Sequence, residues 1–115
     1  MNFDKAYVIG SKEISKKRLD NFFKRNKLKN KNIELWPAIN GKQVNIKKYQ
    51  NLNYLTDNFK LNMPGSLGCL LSHITLWEKC EKDKDCQIAL IFEDDTEIKQ
   101  NFDDLLNEID LTILP

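Results

Sequence analysis

Residues Ala89 to Glu97, ALIFEDDTE, run from an uninterrupted apolar segment straight into three consecutive carboxylates, Glu93, Asp94 and Asp95. Such a run is how a buried parallel strand looks when its C-terminal end opens onto a polar site, and in α/β sheets that end is where ligands collect. Side chains alternate along an extended chain, so Glu93 and Asp95 are expected to share one face while Asp94 points to the other. Two carboxylates on one face can hold a hard divalent cation, Mg²⁺ or Mn²⁺, through oxygen, which is the chemistry needed to hold a diphosphate leaving group. The competing reading is a solvated strand-to-helix turn that is merely acidic. The segment alone leaves both open.

The rest of the chain supplies a sheet for that strand to join. Ala6 to Ile9 is a short apolar strand that stops at Gly10, and Ser15 then stands where it can cap a helix. That helix shows Leu19, Phe22 and Phe23 on one face and Lys16, Lys17, Lys24 and Arg25 on the other. Ile33 to Trp36 predicts a second strand ended by Pro37, and Asn40 with Gly41 is a turn signal. Val44 to Asn53 reads as a short helix or an irregular connection, and Pro64 with Gly65 breaks the chain again. Ser66 to Lys82 is the strongest predicted helix, since Leu67, Leu70, Leu71, Ile74 and Trp77 recur at the spacing of a buried stripe. Ile88 to Phe92 is the third strand, Phe102 to Ile109 carries a weak helical stripe, and Leu111 to Leu114 begins a fourth strand. Strands alternating with helices imply βαβ units: an α/β fold with a mostly parallel, Rossmann-like sheet of three or four strands flanked by helices.

Composition narrows the function classes. At 115 residues the chain is one domain, 1–115, and with 41% hydrophobic and 30% charged residues it reads as globular rather than disordered or membrane-spanning. Its net charge of +1 conceals an asymmetry, with most lysines between Lys5 and Lys48 and most acids between Glu78 and Asp110. A basic half beside an acidic half suits a polyanionic diphosphate or peripheral contact with an anionic membrane, although a solvated face is the commoner cause. Nucleic acid is not expected, because aromatic residues are not interleaved with the lysines. Cys69, Cys80 and Cys86 are an odd number with no signal segment, which argues for a reducing, cytoplasmic setting and against disulfides. With one histidine and no CxxC pair they make a poor zinc site and are expected to be small core residues.

Gly68, Cys69, Ser72, His73 and Trp77 in LGCLLSHITLW, followed by ALIFEDD, resemble the paired signature of glycosyltransferase family 25. That family includes bacterial lipooligosaccharide galactosyltransferases and the collagen galactosyltransferases. AYVIGSKEISKKR resembles its opening strand and basic helix start, and PAINGK at Pro37 to Lys42 resembles its glycine turn. Gly10 and Ser66 depart from the pattern, standing where the family usually has asparagine or serine and often has an acid.

The resemblance implies a GT-A-type transferase that moves a hexose, galactose ahead of glucose, from a UDP-sugar to a lipooligosaccharide or related glycan acceptor. In that scheme the acidic triplet plays the DxD motif, with Asp95 the direct ligand of Mn²⁺ or Mg²⁺. Glu93 would reach the metal through water, or contact the nucleotide ribose. Asp94 would lie near the donor sugar, and Gly10 and Ser72 would belong to the donor contacts. His73 follows Cys69 by four residues and precedes Cys80 by seven, sharing a face with Leu76. It either hydrogen-bonds a phosphate or sugar hydroxyl or is a neutral core histidine. A Ser72–His73 hydrolase is not expected, because adjacent helical residues point about 100° apart.

Since the chain ends at Pro115, where a fourth strand would begin, it resembles the nucleotide-binding half of such an enzyme. Activity is therefore expected to need a partner fragment or self-association, working at the inner face of the cytoplasmic membrane. The alternative class is a truncated, catalytically inert nucleotide-sugar-binding or interaction module. A phosphoryl-transfer receiver would want an acidic pair after the first strand, where Gly10 and Ser11 stand.

Overall fold

In the computed structural model, which describes residues 3–26, 32–60, 62–99 and 101–108, the first strand is central. Strand β1 (Lys5–Gly10) pairs in parallel with β2 (Ile33–Pro37) on one side and with β3 (Ala89–Glu93) on the other. The sheet order is β2-β1-β3. Helix α1 (Lys16–Arg25) links β1 to β2. After β2 come a 3₁₀ turn (Gly41–Gln43), a short helix α2 (Ile46–Asn51) and the long helix α3 (Pro64–Lys82), which leads to β3. Helix α4 (Phe102–Asn107) follows. The small parallel α/β architecture expected from the strand and helix alternation is present. The predicted strand at Leu111 to Leu114, and Ile109, lie outside the described residues.

Because side chains alternate, each face of β1 feeds a different core. Ala6 and Val8 point toward α1 and α4, where they pack with Leu19, Phe22, Phe92 and Leu106. Tyr7 and Ile9 point toward α3 and meet Leu76. A third cluster, built from Leu67 and Leu71 with Leu55, joins the first half of α3 to the segment around α2. The connecting loops are held by buried polar side chains: Asn26 donates to the Thr96 carbonyl and accepts from the Ile98 amide. Among the described residues no helix is long and apolar enough to cross a membrane.

Several local expectations need correction. Phe23 is 39% exposed, because Leu19 and Phe22 already occupy the sheet-facing side of α1 and the next residue is turned away from it. Ser15 sits at the N-cap of α1 without capping it; its hydroxyl is engaged elsewhere. Helix α3 begins at Pro64, not Ser66, since proline fits the first helical turn. Its buried residues are Leu67, Gly68, Leu71, Ser72 and Leu76, whereas Leu70 and Trp77 of the predicted stripe are 46% and 54% exposed. The helix is buried on two sides, by the sheet and by the α2 segment, so the buried band is rotated from the one that periodicity alone selects. Cys69 is exposed and only Cys86 is a buried core thiol. The ambiguous stretch after Val44 is a helix capped by Asn45, whose Oδ1 accepts from the Lys48 amide.

Candidate functional site

All three strands run the same way, so their C-terminal ends share one edge, where Gly10 is in register with Pro37 and Ile9 with Glu93. The chain leaves β1 toward α1 on one face and reaches β3 from α3 on the other. A crevice opens where the two crossovers part, which is where open α/β sheets bind ligands. Here it is a pocket of about 370 Å³. Gly10, Ser15 and Arg18 line one wall, Gly65, Cys69 and His73 the other, and Glu93 to Asp95 the floor between them. Every residue expected at the site borders this pocket: Gly10, Ser72, His73, Glu93, Asp94 and Asp95.

Their environments differ sharply. Asp94 is 6% exposed and turned toward α1: the Ser15 hydroxyl donates to its Oδ2 at 3.0 Å, and Arg18 Nε lies 3.3 Å from Oδ1. Gly10 backs directly onto it, since a side-chain carbon there would come 2.9 Å from Leu19 Cδ1 and 3.5 Å from Asp94 Cβ. Asp94 thus ties the start of α1 to the end of β3. Asp95 and Glu93 are exposed. Ser72 is 1% exposed with both hydrogen-bonding capacities used: its hydroxyl donates to the Gly68 carbonyl at 2.6 Å and accepts from the Ile39 amide at 2.8 Å. The bond from Ile39 ties the loop after β2 to α3, and the bond to Gly68, within the helix, orients the hydroxyl for it.

His73 is half-buried, with Nδ1 2.9 Å from the Cys69 carbonyl and its ring edge-on to Trp77. A carbonyl only accepts, so Nδ1 is the donor in this contact, and the same nitrogen lies 3.7 Å from the Cys69 sulfur. One turn earlier, the Cys69 thiol lies 3.7 Å from Glu93 Oε1. Partial burial and the neighbouring carboxylate push that thiol's pKa upward. Cys69, His73 and Glu93 present ligand atoms within 4.8 Å of one another. The four-residue spacing of Cys69 and His73 on a helix was visible in the chain, but Glu93 reaches them only through the fold. Ser15 and Arg18 carried no sequence signal beyond a capping position and a basic helix face.

The split between the neighbouring acids has a measurable consequence. Asp94→Ala should lower stability by about 1 to 3 kcal/mol through loss of its charged hydrogen bonds, with the exposed arginine contributing little. Asp95→Ala should change it by no more than about 0.5 kcal/mol. Urea denaturation of the two variants checks this, and equal costs would show that Asp94 pins nothing.

With the geometry established, the relationships of the chain can be placed on it. The family model for glycosyltransferase family 25 (LPS biosynthesis protein) matches residues 3–114, and the chain belongs to that family. It is also 40% identical over 55 residues to the provisionally named glycosyltransferase R655 of Acanthamoeba polyphaga mimivirus. That match takes in 48% of this chain and 17% of the relative's length. No solved structure matches.

Proposed function

We propose that this chain forms the donor-binding portion of a metal-assisted hexosyltransferase of GT-A type. It would take a UDP-hexose, galactose ahead of glucose, and supply the sugar to a lipooligosaccharide or related glycan, at the inner face of the cytoplasmic membrane. The observation that carries the reading is the charge of the pocket: among the described residues, Glu93, Asp94 and Asp95 line it against one basic side chain, Arg18. A diphosphate cannot approach two free carboxylates without a positive charge between them. Glu93 and Asp95 are both exposed and border the pocket, and carboxylate oxygens suit Mn²⁺ or Mg²⁺, so this pair is fit to hold the ion. The ion's contribution, when bound, is to neutralise charge gathering on the departing nucleotide.

The protein's own groups do the positioning. Asp94, held by Ser15 and Arg18, fixes the floor of the pocket beside the sugar. Arg18 accompanies Asp94 at the pocket wall, and its exposed guanidinium can meet a phosphate oxygen. The first turns of α1 and α3 border the same space, adding the positive ends of two helices. His73 accepts a hydrogen bond from a sugar hydroxyl through Nε2 of the neutral ring, or donates one to a phosphate oxygen when that nitrogen carries a proton.

Calorimetric titration with UDP tests the reading. Affinity should be clearly higher in Mn²⁺ or Mg²⁺ than in EDTA, and Asp95→Ala should erase the difference while leaving the helical signal intact. Equal affinity with and without metal would overturn it.

A further inference from the structure

The pocket holds a second set of donors, of which the hard-metal reading uses only Glu93 as a ligand. We propose that Cys69, His73 and Glu93 form a binding site for a thiophilic divalent ion of the zinc type, with its open coordination position facing the pocket. The proposal shares Glu93 and His73 with the donor-binding reading above and adds Cys69.

Three observations support it. The ligand atoms come from two elements that the fold holds in place: Cys69 and His73 from successive turns of α3, and Glu93 from the end of β3. They lie within 4.8 Å of one another. The Sγ to Oε1 separation of 3.7 Å is close to the roughly 3.5 Å that separates sulfur and oxygen ligands around a tetrahedral zinc ion. A shift of a few tenths of an ångström would bring this pair to zinc spacing, and side-chain rotation would have to close the wider separations, which reach up to 4.8 Å. His73 Nδ1 lies 3.7 Å from the Cys69 sulfur, so it is the ring nitrogen on the side of the site, and binding an ion there replaces its 2.9 Å contact with the Cys69 carbonyl.

The donor set discriminates between ions. One sulfur, one imidazole nitrogen and one carboxylate oxygen favour Zn²⁺, Co²⁺ or Cd²⁺ over Mg²⁺ and Mn²⁺, which prefer oxygen throughout. Three protein ligands leave a fourth position for water or a phosphate oxygen, as in zinc sites that act on substrates. Binding releases the thiol proton to solvent, because the thiolate is the ligand. A zinc ion here takes Glu93 away from any ion shared with Asp95.

Cobalt(II) titrated into the full chain reads the site directly, since sulfur ligation gives a thiolate-to-cobalt charge-transfer absorption. A single saturable band is expected, displaced by Zn²⁺. Cys69→Ser should abolish it. His73→Ala should weaken Co²⁺ binding by at least the roughly 10- to 100-fold typical of losing a residue that merely orients a ligand. Cys80→Ser and Cys86→Ser should retain the band. No thiolate band in the wild-type chain, or one that survives Cys69→Ser, would overturn the proposal. Circular dichroism of each variant separates ligand loss from unfolding, and Cys69 is exposed enough for serine to be tolerated. UDP binding in Mn²⁺ keeps the two readings apart. It should persist in Cys69→Ser if the oxygen pair holds its own ion, and its absence from a wild-type chain with a normal cobalt band would remove the donor reading alone.

Discussion

Gly41→Ala is expected to cost about 3 kcal/mol or more, at or beyond the upper end of ordinary overpacking. A methyl carbon at Gly41 would stand 1.6 Å from the Pro64 carbonyl oxygen, 2.5 Å from its carbon and 3.0 Å from the Gly68 amide nitrogen. All three atoms are backbone in the first turns of α3, so no side-chain rotation relieves the clash. The contact is reciprocal: a methyl at Gly68 would meet the Ile39 carbonyl oxygen at 2.5 Å and the Gly41 nitrogen at 2.8 Å. The two glycines let α3 lie backbone to backbone on the turn after β2, and the Ser72 bond to the Ile39 amide locks that approach. Forcing them apart would move Gly65, Gly68 and Cys69 away from the pocket, so UDP binding should fall with stability. Gly65→Ala is the control, because nothing lies within 4 Å of its added carbon. It should be neutral or stabilising by up to about 1 kcal/mol, the helix-propensity difference between alanine and glycine. Guanidinium denaturation of both variants measures this, and a Gly41→Ala cost under about 1 kcal/mol would mean that the helix is not seated as described.

Gly41 and Gly68 also show which parts of the site could be read from the chain. Each was singled out, one as a turn residue and one within LGCLLSH, but neither pattern says that they touch. The strands were legible because short apolar runs bounded by glycine and proline have few other solutions, and the end of β3 was legible because its acids interrupt such a run. Glu93 and Asp94 part to opposite sides as expected, Glu93 beside Cys69 on the α3 side and Asp94 facing Ser15 on the α1 side. But β3 ends at Glu93, and Asp94 and Asp95 belong to a turn in which the Thr96 amide donates to the Glu93 carbonyl, so strand alternation does not extend to Asp95. What bonds Asp94 and Ser72 was not legible, because their partners stand 79 and 33 residues away in sequence, at Ser15 and Ile39. Periodicity assigns a residue to a helix face, but it does not say how many neighbours that helix has. Cys69 was misassigned to the core for the same reason.

The rotation of α3 sets up the second large effect, at two adjacent residues. Leu76 is fully buried against Tyr7 and Ile9, on the sheet face that α3 covers. Truncating it leaves a cavity between helix and sheet that the β1 backbone, hydrogen-bonded to strands on both sides, is poorly able to close. Leu76→Ala should therefore cost about 2 to 5 kcal/mol. Trp77 has the larger side chain and belongs to the stripe that sequence spacing selects, yet it is 54% exposed and its ring contact is the edge of His73. Trp77→Ala should cost no more than about 1 kcal/mol, since most of the ring stays in water in either variant. Urea midpoints for the two variants, interpreted with their m-values, decide between the two faces. If Trp77→Ala proves as costly as Leu76→Ala, the stripe of Leu67, Leu70, Leu71, Ile74 and Trp77 is the buried one, α3 is turned about its axis, and the placement of Cys69 and His73 toward Glu93 falls with it.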